Sequence, residues 1–270
     1  MHKTDSKKEK RIVWTDLKAE IRQHKVTFAV YIILRAIVVV AMVLSLLRGD
    51  YENLFVCTLS LILFLVPAFV EKNFGLHLPS ALEVIILLFI FAAEILGEMH
   101  SFYIKIPFWD TMLHTINGFL CAAVGFALVD ILNRNEKIKF TLSPLFLAIV
   151  AFCFSMTIGV FWEFFEWGVD ILLRTDMQKD TVISSVTTVM LDTTQSNIPI
   201  TVDGITETYV NGQALGLGGY LDIGLHDTMK DMFVNFIGAA VFSIIGFFYV
   251  KNRGKGKIAA LFIPRLKEKQ

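Results

Sequence analysis

Residues 108–132 read FWDTMLHTINGFLCAAVGFALVDIL, and the rest of the chain is best understood outward from them. As a helix this stretch rises about 1.5 Å per residue, enough to cross a hydrocarbon layer of about 30 Å. Its polar residues are not scattered. Asp110, His114 and Asn117 follow one another at i, i+4 and i+7, so one helix face carries them all near one end. Ionisable residues inside an otherwise apolar span are expensive and mark functional sites by default. The stretch therefore predicts a transmembrane helix bearing half of a site.

Five further apolar blocks flank it, giving spans at about 26–47, 53–70, 79–97, 109–132, 143–170 and 228–250. The chain is 55% hydrophobic and only 19% charged, with 24 phenylalanines and a mean hydropathy of +0.61. Soluble domains average about 45–50% apolar and about 25% charged. Helices satisfy their own backbone in lipid, so the fold class is all-α: a polytopic bundle of six transmembrane helices. Lys and Arg number 25, as do Asp and Glu, which excludes a nucleic-acid binder. Cys57, Cys121 and Cys153 lie inside apolar blocks without CxxC spacing and read as small buried hydrophobes. The polar first 25 residues and the long apolar run after them do not resemble a cleavable signal peptide.

Charge predicts the orientation. Nineteen Lys and Arg fall in residues 1–25, the 71–78 and 133–142 loops and the 251–270 tail, against four in the alternate loops. By the positive-inside rule both termini are cytoplasmic. Residues 1–25 form a basic segment in which Val13, Trp14, Leu17 and Ile21 line one side of an interfacial helix. Residues 26–250 are the membrane domain, with 171–227 as a long extracytoplasmic loop, and 251–270 form a basic tail. In the loop, Ile198–Val202 and Ile205–Val210 flank Asp203-Gly204, a two-residue hairpin signal for either a surface turn or a lid.

With this orientation the ionisable residues gather at one depth. Glu94 and Glu98 end span three, Asp110, His114 and Asn117 open span four, Glu163 and Glu166 come late in span five, and Asp227, Asp231 and Asn235 open span six. Glu163 and Glu166 are i,i+3, and Asp227, Asp231 and Asn235 step by four, so each set faces one way. Gly118, Gly159 and Gly238 lie close by and would let helices approach closely. Carboxylates so placed cannot all stay ionised without taking up protons or sharing a cation. Histidine with Asp and Glu on facing helices is a ligand set for a divalent metal cation, through Asp110, His114, Glu163, Glu166, Asp227 and Asp231. Glu163, Glu166, His114 and Asp231, the deepest, are the candidates for catalytic acid–base work. Asn117, Asn235, Glu94 and Glu98 complete the polar site. Arg35, midway along span one, is expected to pair with Glu83, and His226 to stand beside the site. Asp110-Thr111-Met112 recurs as Asp227-Thr228-Met229, which a duplicated half-bundle would explain.

The segments FWDTMLHTINGFL at 108–120, GVFWEFFEW at 159–167 and GYLDIGLHDTMKDMFVNFIGA at 219–239 resemble the uncharacterised bacterial inner-membrane YjdF family. The likeness covers spans three to six. More distantly, the order Asp-x3-His, Glu, Asp-x3-Asn-x2-Gly is similar to that of VanZ-type membrane proteins, although Glu163-x2-Glu166 stands where those tend to show a Glu/Gln pair. The resemblance implies a helical bundle in a bacterial cytoplasmic membrane and no particular reaction.

Three functional classes fit. A metal-assisted or acid–base membrane enzyme acting on lipid or cell-envelope headgroups is favoured by the outer depth of the polar site and the loop over it. An ion-coupled transporter or cation carrier would more often place its site at the midplane beside broken helices. In a non-catalytic membrane protein the polar cluster would be structural. No phosphate loop, nucleotide fingerprint or nucleophile elbow is present in the sequence.

Overall fold

The computed structural model describes residues 25–133, 142–252, 256 and 259–266. The interfacial helix expected within residues 12–25 lies almost wholly outside them, as do most of the 133–142 loop and parts of the tail.

Among the described residues, six helical segments are long and apolar enough to cross a membrane: Lys25–Arg48, Tyr51–Asn73, Ser80–Met99, Trp109–Asp130, Pro144–Leu173 and Leu225–Lys251. As elements they are α1 (Lys25–Arg48), α2 (Tyr51–Leu63), α3 (Val66–Phe74), α4 (Ser80–Phe91), the short α5 (Phe102–Lys105), α6 (Trp109–Asn133), α7 (Pro144–Leu173) and α8 (Leu225–Lys251). The helix starts follow local chemistry. The Asp50 side chain accepts from the Asn53 N–H at the head of α2, and Ser143 accepts from the Phe146 N–H just before Pro144 opens α7. The second span is α2 and α3 in succession, parted at Phe64–Leu65 with Pro67 in the first turn of α3.

Span three is not α-helical throughout. After Phe91 it widens into a π-helical stretch, Ala92–Met99, which carries Glu94 and Glu98. Nothing in its apolar pattern announces the change of pitch. Such insertions recur at functional sites.

Two apolar clusters build the bundle. Leu34, Val38, Cys57, Phe64, Leu87, Ile90 and Ile95 join α1, α2 and span three. Ala122, Ala123, Phe126, Leu147, Ala151, Ala239 and Phe242 join α6, α7 and α8. The outward faces are apolar too: Ile33, Val40, Leu47, Phe55, Phe161, Phe165 and Phe233 are exposed. In water that surface would drive aggregation; in a bilayer it meets acyl chains. Cys57 is buried as expected, whereas Cys153 lies on the exposed apolar face.

Arg35 departs from expectation. Its guanidinium lies over the Tyr31 ring, 4.1 Å from the centroid, and Nε has no hydrogen-bond partner. The ion pair with Glu83 is not made, because a ring one turn away on the same helix is nearer than a carboxylate on another element.

Residues 174–224, between α7 and α8, hold short antiparallel pairs: β2 (Val182–Ile183) with β7 (Tyr220–Leu221), β3 (Val186–Thr188) with β4 (Ile200–Val202), and β5 (Tyr209–Val210) with β6 (Gln213–Ala214). A further pair joins β1 (Leu76–His77) to β8 (Arg265–Leu266). The tight hairpin is therefore β5–β6, turning at Asn211-Gly212, not at Asp203-Gly204. Asn211 and Gly212 both take positive φ, 53° and 79°, which suits a two-residue turn. Asp203 is engaged elsewhere, accepting from the Ser185 hydroxyl at 2.6 Å, while the Ile205 N–H donates to the Ser184 carbonyl. Ile200–Val202 thus pairs backwards with β3 rather than forwards. Two aspartates fasten the loop to the bundle. Asp170 accepts from the Met177 and Gln178 N–H groups, and Asp222 from those of Thr181, Gly224 and His226.

Candidate functional site

α6 and α8 begin at the end of the bundle from which the 174–224 segment emerges, and α7 finishes there. These three helices pack against one another through glycine. A Cβ on Gly118 would strike the Asn235 carbonyl, one on Gly238 the Thr115 carbonyl, and one on Gly159 the Asn235 side chain. With those side chains missing, the helices close to backbone contact, as small-residue seams do in membranes. Ser155 strengthens the junction by donating its hydroxyl to the Gly118 carbonyl at 2.7 Å.

This contact turns the three polar faces inward on His114, which is centred among carboxylates. Its Nε2 lies 3.4 Å from Asp110 Oδ1 and 4.0 Å from Asp231 Oδ2, and its Nδ1 lies 4.0 Å from Glu163 Oε1. Two ligand-capable triads share the imidazole, Asp110–His114–Asp231 and His114–Glu163–Glu166, each with donor atoms within 4.8 Å of one another. Glu163, Glu166 and Asp231 are buried, Asp231 to 2% exposure. Asn117 and Asn235 lie together beneath, amide to amide at 3.4 Å, with the Asn235 amide also reaching Met156 Sδ.

Other expected members stand apart. Asp227 is in neither triad; it receives the Lys179 N–H at 2.8 Å and Lys230 at 3.3 Å. Glu94 and Glu98 stay on their π-helical stretch, outside both triads, with Tyr103 of α5 in electrostatic reach of them and of Asp110 and Glu166. His226 meets Asp222 through its backbone, and its side chain joins neither triad.

Four residues of the site escaped the sequence reading. Lys230 is the resident cation, with Nζ 3.3 Å from Asp227, 3.7 Å from Asp110 and 3.8 Å from Asp231. Its position between Asp227 and Asp231 was a usable signal, since a lysine there shares their face. Trp162 donates its indole N–H to Glu166 Oε1 at 2.7 Å, a predictable i,i+4 contact. Gln178 donates to the Thr228 hydroxyl at 2.5 Å and to Glu163 Oε2 at 3.4 Å, bringing the loop down onto the cluster. Tyr103 packs its ring on Gly97 beside the site. Neither of the last two contacts leaves a local trace in the sequence.

The electrostatics are lopsided. Asp110, Asp227, Asp231, Glu163 and Glu166 face Lys230 and one imidazole. Asp110 Oδ2 and Asp231 Oδ1 are buried without a hydrogen-bond partner, the ammonium standing just beyond bonding distance. A buried carboxylate oxygen left so is costly, and a cation placed there would relieve it. Outside the spans, burial pushes the Asp222 carboxyl up, but the N–H groups of Thr181, His226 and Gly224 more than offset it and hold it below the usual carboxylate range.

Beside the triads, an open groove of about 630 Å³ runs between α7 and α8, lined among others by Glu163, Phe164, Trp167, Gln178, Thr228 and Met232.

No curated protein and no solved structure matches the chain. A family described as predicted membrane protein (DUF2238) matches residues 29–252, from the first turns of α1 to the end of α8, and the site lies wholly within that range. The chain belongs to this family of membrane proteins.

Proposed function

We propose that His114, Glu163 and Glu166 hold a divalent cation, and that the protein is a metal-assisted enzyme acting on lipid or cell-envelope headgroups at the extracytoplasmic face. The observation that carries this reading is the way the surrounding groups divide the work. Trp162 donates to Glu166 Oε1 and Gln178 to Glu163 Oε2, while Glu163 Oε1 lies 4.0 Å from His114 Nδ1. On the far side of the ring, Asp110 Oδ1 lies 3.4 Å from Nε2, where a carboxylate would orient a metal-ligating imidazole. Lys230 offsets one of the three charges on Asp110, Asp227 and Asp231. Two glutamates and a neutral histidine then balance one divalent ion.

Three protein ligands would leave a position for water, whose acidity a bound divalent ion would raise. Asp231, buried 4.0 Å from His114 Nε2, would serve proton transfer on that side of the ring. The donor atoms of the triad lie within 4.8 Å of one another, within reach of a single ion. The positive-inside charge pattern supports an extracytoplasmic position for this end of the bundle.

Thermal unfolding of detergent-purified protein, with zinc, manganese or magnesium and with chelator, tests the reading. One cation should raise the wild-type midpoint; at 100 times its Kd the gain is about 2.7 kcal/mol. Glu163→Gln should abolish that response while still folding. A wild type indifferent to all three cations contradicts the proposal.

A further inference from the structure

We propose that the groove between α7 and α8 is a lateral portal through which an amine-headed phospholipid of the surrounding leaflet reaches Glu163. This rests on the site reading above and names its substrate class.

The groove opens on the apolar face of the bundle, where Phe164, Trp167 and Leu225 are exposed to acyl chains. A second, wholly apolar groove of about 350 Å³ lies farther along the same two helices, lined by Leu145, Ile149, Phe152, Ile244 and Phe248 among others. Leu145, Ile149, Phe152, Val160, Glu163 and Trp167 recur at helical spacing on one face of α7, so both grooves lie on one seam, with the Phe152–Phe236 ring pair between them. From Glu163 to Leu145 is about 27 Å along the helix, ample for an acyl chain. The polar mouth lies at the loop end, His114 being only about 7.5 Å from the start of α6, where lipid headgroups meet the hydrocarbon.

The lining chooses the headgroup. Among the described residues its ionisable members are two carboxylates, Glu163 and Asp222, with no lysine or arginine. Asp222 is taken up by three backbone N–H groups, whereas Glu163 lines the groove with its Oε2 accepting from Gln178 at 3.4 Å. The five carboxylates of the site outnumber the charges of one divalent ion and Lys230. Glu163, sharing the groove with the Phe164 and Trp167 rings, therefore remains a receptor for an ammonium group through charge and cation–π attraction. The ammonium of a zwitterionic lipid would sit there, with its phosphate toward the triad. A lipid carrying only negative charge would find no counter-charge in the groove.

Photo-crosslinking in lipid nanodiscs tests this with two phospholipid analogues bearing a diazirine high on one acyl chain, one with an ethanolamine and one with a glycerol headgroup. The ethanolamine analogue should label residues 160–167 and 225–232 at least about fivefold more than the glycerol analogue, a preference of about 1 kcal/mol. Both should label α1 equally. Glu163→Gln should erase the preference, and Val160→Trp or Met232→Trp, filling the groove from opposite walls, should cut its labelling by both. Equal labelling by the two headgroups, a glycerol preference, or labelling insensitive to both filling variants would overturn the portal. Elemental analysis of the same samples separates the two claims. Metal retained without headgroup preference removes the portal alone, and preference without metal removes the cation site alone.

Discussion

Gly118 of α6 meets the backbone carbonyl of Asn235 on α8 so closely that no side chain fits between them. That contact, and its counterpart at Gly238 and Thr115, sets the distance between the helices that carry His114 and Asp231. Gly118→Val should therefore separate α6 from α8, lowering stability by about 1–3 kcal/mol and abolishing the cation response together. Gly168, with open space around its Cβ position, is the control: Gly168→Ala should leave both intact. Unfolding curves with and without cation check this.

Trp162 acts on the site through Glu166. Trp162→Phe keeps an aromatic ring toward the lipid face but removes the indole donor. Loss of an outer hydrogen bond to a metal ligand costs about 10–100-fold in affinity. Cation titration should show a weakening of that size with the wild-type fold retained; undiminished affinity would remove Glu166 from the ligand set.

Asp222 gives the loop a pH dependence. Its folded pKa is depressed, so its contribution is fully present above the ordinary carboxylate value of about 4 and is lost as pH falls through the folded value. Asp222→Asn should loosen residues 174–224 at neutral pH, seen as faster proteolysis of that segment. The difference from wild type should shrink below about pH 4. A gap that stays constant down to pH 3 would show that the Asp222 charge does not hold the loop.

The orientation predicts that a reporter active only outside the cytoplasm is silent when fused after Gln270 and active when inserted at Gly204, an exposed loop position. The reverse pattern would put the site at the cytoplasmic face.

The spans were legible in the sequence because apolar blocks of the right length have few alternatives in a chain with this mean hydropathy. The meeting of His114 with Asp110, Asp231 and Glu163 was legible for a related reason: each sits on one face of its helix, near the same end. What lay beyond reach was set by contacts distant in the chain. Gln178 reaches Thr228 across 50 residues, and no local pattern announces that. The π-helical stretch at Ala92–Met99 changes pitch without changing composition. Asp203-Gly204 and Asn211-Gly212 are equally good turns in isolation, and the pairing of β4 with β3 decided between them. Lys230 could have been read, since its spacing from Asp227 is helical, but a lysine near a span end suits the interface whether or not it joins a site.

The central claim is that His114, Glu163 and Glu166 hold one divalent cation, and elemental analysis of the purified protein tests it most directly. After equilibration with cation and removal of the unbound excess, the wild type should carry one ion per chain. The folded variants His114→Asn and Glu163→Gln should each carry essentially none. A wild type with no bound ion, or variants that retain it at the wild-type ratio, would contradict the account.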